Sequence, residues 1–442
     1  QITTNMSISN IIFLVAFISL TTLFVINIRK IIFNINLGSD INRSDQKSKR
    51  WGNMIRVALG QSKMTRRPIA GILHILIYVG FVIINIEIIE IIIDGIFGTH
   101  RFLATIIPLS IYNFLIATFE ILAFLVLFAC VVFWTRRNVV KLKRFWSKEM
   151  KKWPRTDANL ILIFEVLLMV AFLTMNAADC LLQTSDSKYI KAGSFPISNF
   201  IVPMLSNYDA STLCLIERFC WWFHIIGILL FMNYIVISKH LHIFFAFPST
   251  YYAKLSPLGK MDNLDAVTKE VKLMLDPNAD PFANPSSDAD SAVGTFGAKD
   301  ATDLNWVQLL NSYSCTECGR CTSVCPANQT GKMLSPRKIM MDTRARISEI
   351  GYNKRKGIKD EKTLINDYIT PEELWACTSC NACTDSCPIE LDPLSIILDM
   401  RRYLVMEESK APSELNMMFT NIENNGAPWQ FSAADRLNWK DE

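Results

Sequence analysis

The sequence predicts an all-α protein: a bundle of five membrane-crossing helices followed by a helical domain facing water. Three observations carry that expectation. Five apolar runs are long enough to cross a hydrocarbon core of roughly 30 Å, which takes about 20 residues. The charge balance changes near Pro248, with 24 basic and 13 acidic residues up to that point and 21 and 28 beyond it. Past that point the apolar residues recur at helical spacing rather than in strand alternation. The chain has 442 residues, half of them hydrophobic and only 19% charged. Its mean hydropathy is +0.23. An average soluble protein is about 25% charged, so disorder is excluded and a membrane is indicated. The positive charge lies in loops between apolar runs, which argues against a nucleic-acid partner.

The apolar runs cover residues 11–28, 69–93, 111–134, 160–178 and 213–237. The connector 29–67 holds ten Lys or Arg against Asp40 and Asp45, and the connector 136–157 holds nine against Glu149 and Asp157. By the positive-inside rule both connectors are cytoplasmic. The N-terminus is then outside an inner (cytoplasmic) membrane, and everything after the fifth span is in the cytoplasm. Residues 1–31 show no basic n-region and no small-residue cleavage site, so they read as a retained anchor.

Histidine is scarce, with five in the chain, and four of them lie within or just past spans: His74, His224, His240 and His242. His74 lies about six residues past Pro68, roughly 9 Å deep at 1.5 Å per residue, and the fifth span returns to the same side with His240 and His242. Facing imidazoles in a helix bundle are a haem-ligand arrangement. The plainer alternative is a set of polar residues bonded to their neighbours. His242 is the preferred partner of His74, with His240 as the substitute, because side chains two apart on a helix point different ways.

The run Leu73-His74, then Gly80-Phe81, His224, and Ser238-Lys239-His240-Leu241-His242 resembles the five-span cytochrome b subunit of respiratory nitrate reductase and its relatives. That resemblance implies haem b bridged between the second and fifth spans, in two copies, with menaquinone or ubiquinone as the membrane substrate. About ten residues after His74, where the family has a second histidine on span two, this chain has Ile84. One haem b on His74 and His242 is therefore expected, with a second possible. His224, left without its partner, is the expected neighbour of quinone exchange in the outer half. Ionisable groups inside spans suggest function by default, so Glu120 and Glu165 are candidates for quinone or proton handling, the alternative being structural carboxyls. Glu87, Glu90 and Asp94 come late on span two and read as outer-interface residues. Cys130, Cys180, Cys214 and Cys220 read as small apolar fillers, with an outer disulfide among the last three as the alternative.

Beyond the fifth span, residues 276–303 are rich in Asp, Pro, Ser and Ala and show no period. They complete a linker, 249–303, between a membrane domain, 1–248, and a second domain, 304–442. Within that second domain Cys315-x2-Cys318-x2-Cys321-x3-Cys325-Pro326 recurs 62 residues later as Cys377-x2-Cys380-x2-Cys383-x3-Cys387-Pro388. Three closely spaced thiolates wrap three corners of a cubane, and the fourth Cys before Pro typically ligates the partner cluster. Two 4Fe-4S clusters follow, one on Cys315, Cys318, Cys321 and Cys387, the other on Cys377, Cys380, Cys383 and Cys325. Zinc sites also use Cys-x2-Cys pairs, but a closed site takes four ligands and not two repeats of this spacing.

Helical rhythm over Ile339, Met340, Ile347 and Ile350, and again over Leu394, Ile397, Leu398 and Leu404, separates this domain from the small strand-bearing ferredoxins. With Trp306-x2-Leu309-Leu310 before the first motif and Leu334-Ser335-Pro336 after it, it resembles the helical dicluster ferredoxin of heterodisulfide-reductase-like iron-sulfur subunits. Pro428-Trp429 and Arg436-Leu437-Asn438-Trp439 look like that family's tail. No nucleotide-binding loop or nucleophile triad is visible. The chain is expected to be a membrane electron-transfer subunit of a quinone-linked oxidoreductase, with a cysteine-rich iron-sulfur or flavoprotein electron-transfer subunit as its partner. The resemblance extends to membrane subunits of heterodisulfide-reductase-like complexes and of electron-transfer-flavoprotein:menaquinone oxidoreductases. The rival expectation is a scaffold subunit of a larger respiratory or ion-pumping complex, its clusters structural.

Overall fold

The computed structural model describes residues 7–278 and 295–441. Five long helices, Ile8–Ile35, Pro68–Phe97, Leu109–Asn138, Trp153–Ser185 and Ala210–Ile235, coincide with the five apolar runs. At 26 to 33 residues each and 1.5 Å per residue, all exceed the hydrocarbon thickness, so their ends project beyond it. Local chemistry sets those ends. Pro68 opens the second span, where a missing N–H costs nothing. Gly98, at φ +69°, closes the same span in the left-handed conformation. At the start of the fifth, the Asp209 carboxylate accepts from Ser211 N at 3.2 Å.

The spans close into a ring: each packs on its neighbour in the chain, and the fifth returns to the first. Small residues at the seams, Ala123, Ala177 and Ala178, are wholly buried and let backbones approach. Ile11, Ile12, Phe124 and Phe128 face outward, where lipid would cover them. The fifth helix stops at Ile235, short of the 237 expected from hydropathy. The physical reason is Ser238, whose hydroxyl accepts from His240 N at 2.9 Å and starts a short turn, Lys239–Leu241, before a new helix, His242–Tyr251.

The cysteine-bearing half is built on three packed helices, Trp306–Ser314, Pro336–Lys356 and Pro393–Met406. Leu309, Ile339, Ile347, Ile396, Ile397 and Met400 form its fully buried core. Among the described residues there is no strand, only isolated bridges such as Ser39 to Asn305. Of the stretch read as linker, residues 279–294 lie outside the described residues. A helix, Asp265–Leu275, occupies its first part. Its last part packs into the cysteine-bearing half: Ala298 and Ala301 are wholly buried, and Ala298 N donates to the Asp399 carbonyl at 2.9 Å.

The two halves share one core. Ile31 and Ile35 of the first span, Phe231 and Ile235 of the fifth and Leu241 of the turn pack in the same cluster as Leu309, Leu310 and Tyr313. Gly351 marks the tightest approach, where a Cβ would fall 1.8 Å from Asn34 Oδ1. We call the bundle end nearest the cysteines proximal and the other end distal.

Candidate functional site

The two cysteine motifs fold alike because their backbones take the same turns. The residue before each second cysteine, Glu317 and Ser379, has φ +55°. The residue after each second cysteine, Gly319 at +70° and Asn381 at +60°, again enters the left-handed region that only glycine and asparagine visit readily. A short helix follows each time, Arg320–Val324 and Ala382–Ser386, and these two helices pack on one another. Packing them together carries the fourth cysteine of each motif to the other motif. One cavity is accordingly lined by Cys315, Cys318, Cys321 and Cys387, and by Cys383. Cys325 in turn is a near neighbour of Cys377, as are Cys380 and Cys383.

This donor set fits two cubanes. Burial pushes the Cys315 thiol up to about 11 and the Cys387 thiol up to about 12, so these sulfurs ionise when metal displaces the proton. Among the described residues no three His, Cys, Asp or Glu side chains converge on a single ion position. A cubane takes one thiolate at each of four separate irons, and cysteines spread around a cavity suit it.

The histidines of the proximal end also meet. The His74 and His242 rings have centroids 6.3 Å apart, inclined at 44°. Two axial imidazoles, with metal-nitrogen bonds of about 2 Å and roughly 1 Å from ring centre to nitrogen, stand about 6 Å apart between centroids. His242 Nδ1 lies 3.0 Å from the Lys239 carbonyl. Donating there fixes the tautomer and leaves Nε2 free as a ligand. Burial holds His242 below the usual imidazole range, against that hydrogen bond, so the ring is neutral, the form that binds metal. His74 Nδ1 is buried with no partner. These features fit an axial pair. His240 lies 5.4 Å from His242, centroid to centroid and nearly perpendicular to it. Burial, then the neighbouring His242 and His74, push its pKa down to about 3.

Between the histidines and the cysteines lies a buried ion network that sequence reading missed. Lys239, three residues before His242, donates to Glu317 Oε2 at 2.5 Å and to the Pro154 carbonyl at 2.6 Å. Glu317, between Cys315 and Cys318, is also paired with Arg344. Burial opposes charge on Glu317, but Arg344 and Lys239 hold its carboxyl below the usual range. A carboxylate inside a ligand loop was the one visible signal, and it did not identify the cation that meets it.

At the distal end Glu120 is wholly buried and accepts from Asn176 Nδ2, Ile197 N and Ser198 N at 3.1, 2.9 and 3.1 Å. That set ties a loop to the bundle and is a structural carboxyl's environment. Glu165 lies on the fourth span beside Cys130. His224 is buried, with Nδ1 3.1 Å from the Leu168 carbonyl on the fourth span. Ile84 is buried as expected of an apolar residue there. Glu87 and Glu90, late on the second span, are covered by protein, each only 3% exposed; Tyr112 donates to Glu90, and Arg101 to Tyr112. All twelve cysteines are unbridged, including Cys180, Cys214 and Cys220.

Comparison with known proteins identifies the cysteine-bearing region. Residues 314–391 match the family model of the 4Fe-4S dicluster domain. A probable iron-sulfur-binding oxidoreductase of Bacillus subtilis, FadF, is 30% identical over 95% of this chain and 59% of its own length. The EtfAB:quinone oxidoreductase of Syntrophomonas wolfei is 27% identical over 91% of this chain and 55% of its own. A subunit of the ferredoxin:CoB-CoM heterodisulfide reductase of Methanosarcina mazei is 31% identical over 23% of this chain and 52% of its own. No solved structure matches the chain. The chain spans little more than half the length of the first two relatives. Five membrane-type helices are joined here to a 4Fe-4S dicluster domain, in a chain related to iron-sulfur oxidoreductases.

Proposed function

We propose that the chain is a membrane electron-transfer subunit of a quinone-linked oxidoreductase, exchanging electrons between menaquinone or ubiquinone in the bilayer and a cysteine-rich iron-sulfur or flavoprotein partner in the cytoplasm. Cys315, Cys318, Cys321 and Cys387 would hold one 4Fe-4S cluster, Cys377, Cys380, Cys383 and Cys325 the second, and His74 and His242 one haem b. When bound, these groups supply the one-electron carriers. The protein's part is spacing, burial and charge. The Lys239 carbonyl orients His242, and Arg344 and Lys239 offset the carboxylate that sits among the thiolates. The basic connectors support a location of the proximal end, and with it the dicluster domain, on the cytoplasmic side of the inner membrane.

The observation that carries this reading is the buried Lys239–Glu317 pair, which joins the histidine turn to the first cysteine loop. A domain tethered to the membrane merely for location has no need of a desolvated ion pair at that point. The test is an anaerobic preparation examined by optical and EPR spectroscopy. The expected result is about eight cluster irons, one low-spin haem and reduction of both by quinol. Clusters without haem and without any quinol response would favour the scaffold reading.

A further inference from the structure

Arg320 is a buried cation inside the first cysteine loop, between Gly319 and Cys321. It is 5% exposed and lines the cavity of Cys315, Cys318, Cys321 and Cys387. Its guanidinium donates to neutral groups: the Lys63 carbonyl at 3.2 Å, the Met64 carbonyl at 3.3 Å and the Met64 sulfur at 2.9 Å. Glu317, in the same loop, is engaged by Lys239 and Arg344, and Glu149 is engaged by Arg337.

A buried charge is costly unless it is paired. Arg50, Arg101, Arg337 and Arg346, which are also buried, meet Asp45, Asp179, Glu149 and Asp300 at 2.5, 2.7, 2.6 and 2.7 Å. Arg137 lies instead over the Phe145 ring, 4.6 Å from its centroid. Arg320 has backbone carbonyls, a thioether and a cavity of cysteine sulfurs. A negatively charged occupant of that cavity completes its pairing. A cubane on four thiolates is such an occupant, and one-electron reduction makes it more negative still.

The contacts of Arg320 also lead toward the histidines. The Met64 carbonyl that accepts from it packs against Gly71, where a Cβ would fall 2.8 Å from that oxygen. Gly71 lies three residues before His74 on the second span, and Arg320 is a charged neighbour of His74. The second motif has no counterpart, because the residue before its third cysteine is Ala382.

We propose that Arg320 sets the reduction potential of the first cluster, its fixed positive charge favouring the reduced form and so raising that potential. The proposal deepens the electron-transfer reading and rests on the ligand set given there for this cluster. Within about 10 Å, at an effective dielectric constant of about 20, a unit charge outweighs one tenfold step in an equilibrium.

The test is a redox titration of the anaerobic full chain with dithionite and mediators, read by EPR. The first cluster is the signal that Cys318→Ser removes. Arg320→Gln should lower its midpoint, so that the ratio of reduced to oxidised cluster at the wild-type midpoint falls at least tenfold, about 59 mV for a one-electron couple. The second cluster should move less. Arg320→Lys keeps the charge while losing the forked contact, and should hold that ratio within threefold of wild type. An unchanged first midpoint in Arg320→Gln, or equal shifts in the Gln and Lys variants, would overturn the proposal and leave the cluster assignment intact. If the Gln variant does not assemble the first cluster, Ala382→Arg decides. It puts a cation at the matching position of the second motif and should raise the second cluster's ratio at least threefold; no rise would overturn the proposal. A wild type without any 4Fe-4S signal would overturn the cluster reading and this proposal together.

Discussion

Single side chains carry the electron-transfer chemistry proposed here, and their tests separate cleanly. In the ligand sets proposed, Cys318 serves one cluster only, so Cys318→Ser should remove about half the cluster iron and one of two EPR signals while the haem spectrum persists. Stoichiometric zinc in place of iron would count against the cluster assignment. At the proximal end two histidines compete for one role. His74 and His242 have the spacing of axial ligands, whereas His240 lies nearly perpendicular to His242 at 5.4 Å. His74→Ala should therefore abolish the low-spin haem spectrum and His240→Ala should leave it. A pyridine haemochrome count of two per chain, with one haem surviving His74→Ala, would show a second site.

Helix contacts decide how the halves hold together. The Pro336–Lys356 helix lies against the first span through Gly351 and Asn34. The Asn34 side chain accepts from Arg355 at 2.7 Å and donates to Tyr313 at 2.8 Å. A methyl at position 351 would displace it, so Gly351→Ala should cost about 1–3 kcal/mol by overpacking. Adding Asn34→Ala removes the obstructing amide, and the two changes should cost less together than their sum, read as non-additive shifts in Tm. The turn Lys239–Leu241 is held by Glu317, which serves both Lys239 and Arg344. Glu317→Leu takes the nearest carboxylate from Arg344 and leaves Lys239 only Asp157, at 3.7 Å, and should destabilise by about 3–5 kcal/mol. Lys239→Met leaves Glu317 its second cation and should cost less. Equal losses from the two changes would argue that the pair, rather than the carboxylate, is the unit.

On the scale of the whole molecule the two halves are welded by charge as well as by apolar packing, and charge makes the joint sensitive to acid. Glu149, in the connector before the fourth span, accepts from Arg337 at 2.6 Å and from Ser335 at 2.8 Å. Its burial opposes ionisation, but the Arg337 guanidinium holds the carboxyl below the usual range. A carboxylate with a depressed folded pKa adds stability above the unfolded value, about 4.3 for Glu, and loses it as pH falls through the folded one. Tm should therefore drop as pH is lowered below about 4.3, and Glu149→Gln should flatten part of that drop. A drop of unchanged size in the variant would assign the acid sensitivity to other carboxylates.

What the sequence determined by itself is whatever is encoded within a short stretch of chain. Five apolar runs of the right length specify five membrane helices, because membrane crossing depends on local length and polarity. Cys-x2-Cys-x2-Cys-x3-Cys-Pro specifies a cluster loop, because three ligands to one cubane fit within two turns of backbone. The scarcity and position of His74 and His242 were legible for the same reason. What only the tertiary structure decided depends on partners distant along the chain. That Tyr112, itself bonded to Arg101, covers Glu90 is visible only in the fold. Residues 295–303 have the composition of a linker, yet Ala298 is buried beside Asp399, about a hundred positions away. The Lys239–Glu317 pair spans 78 residues. A buried charge is defined by what surrounds it in space, and no window of sequence contains that information.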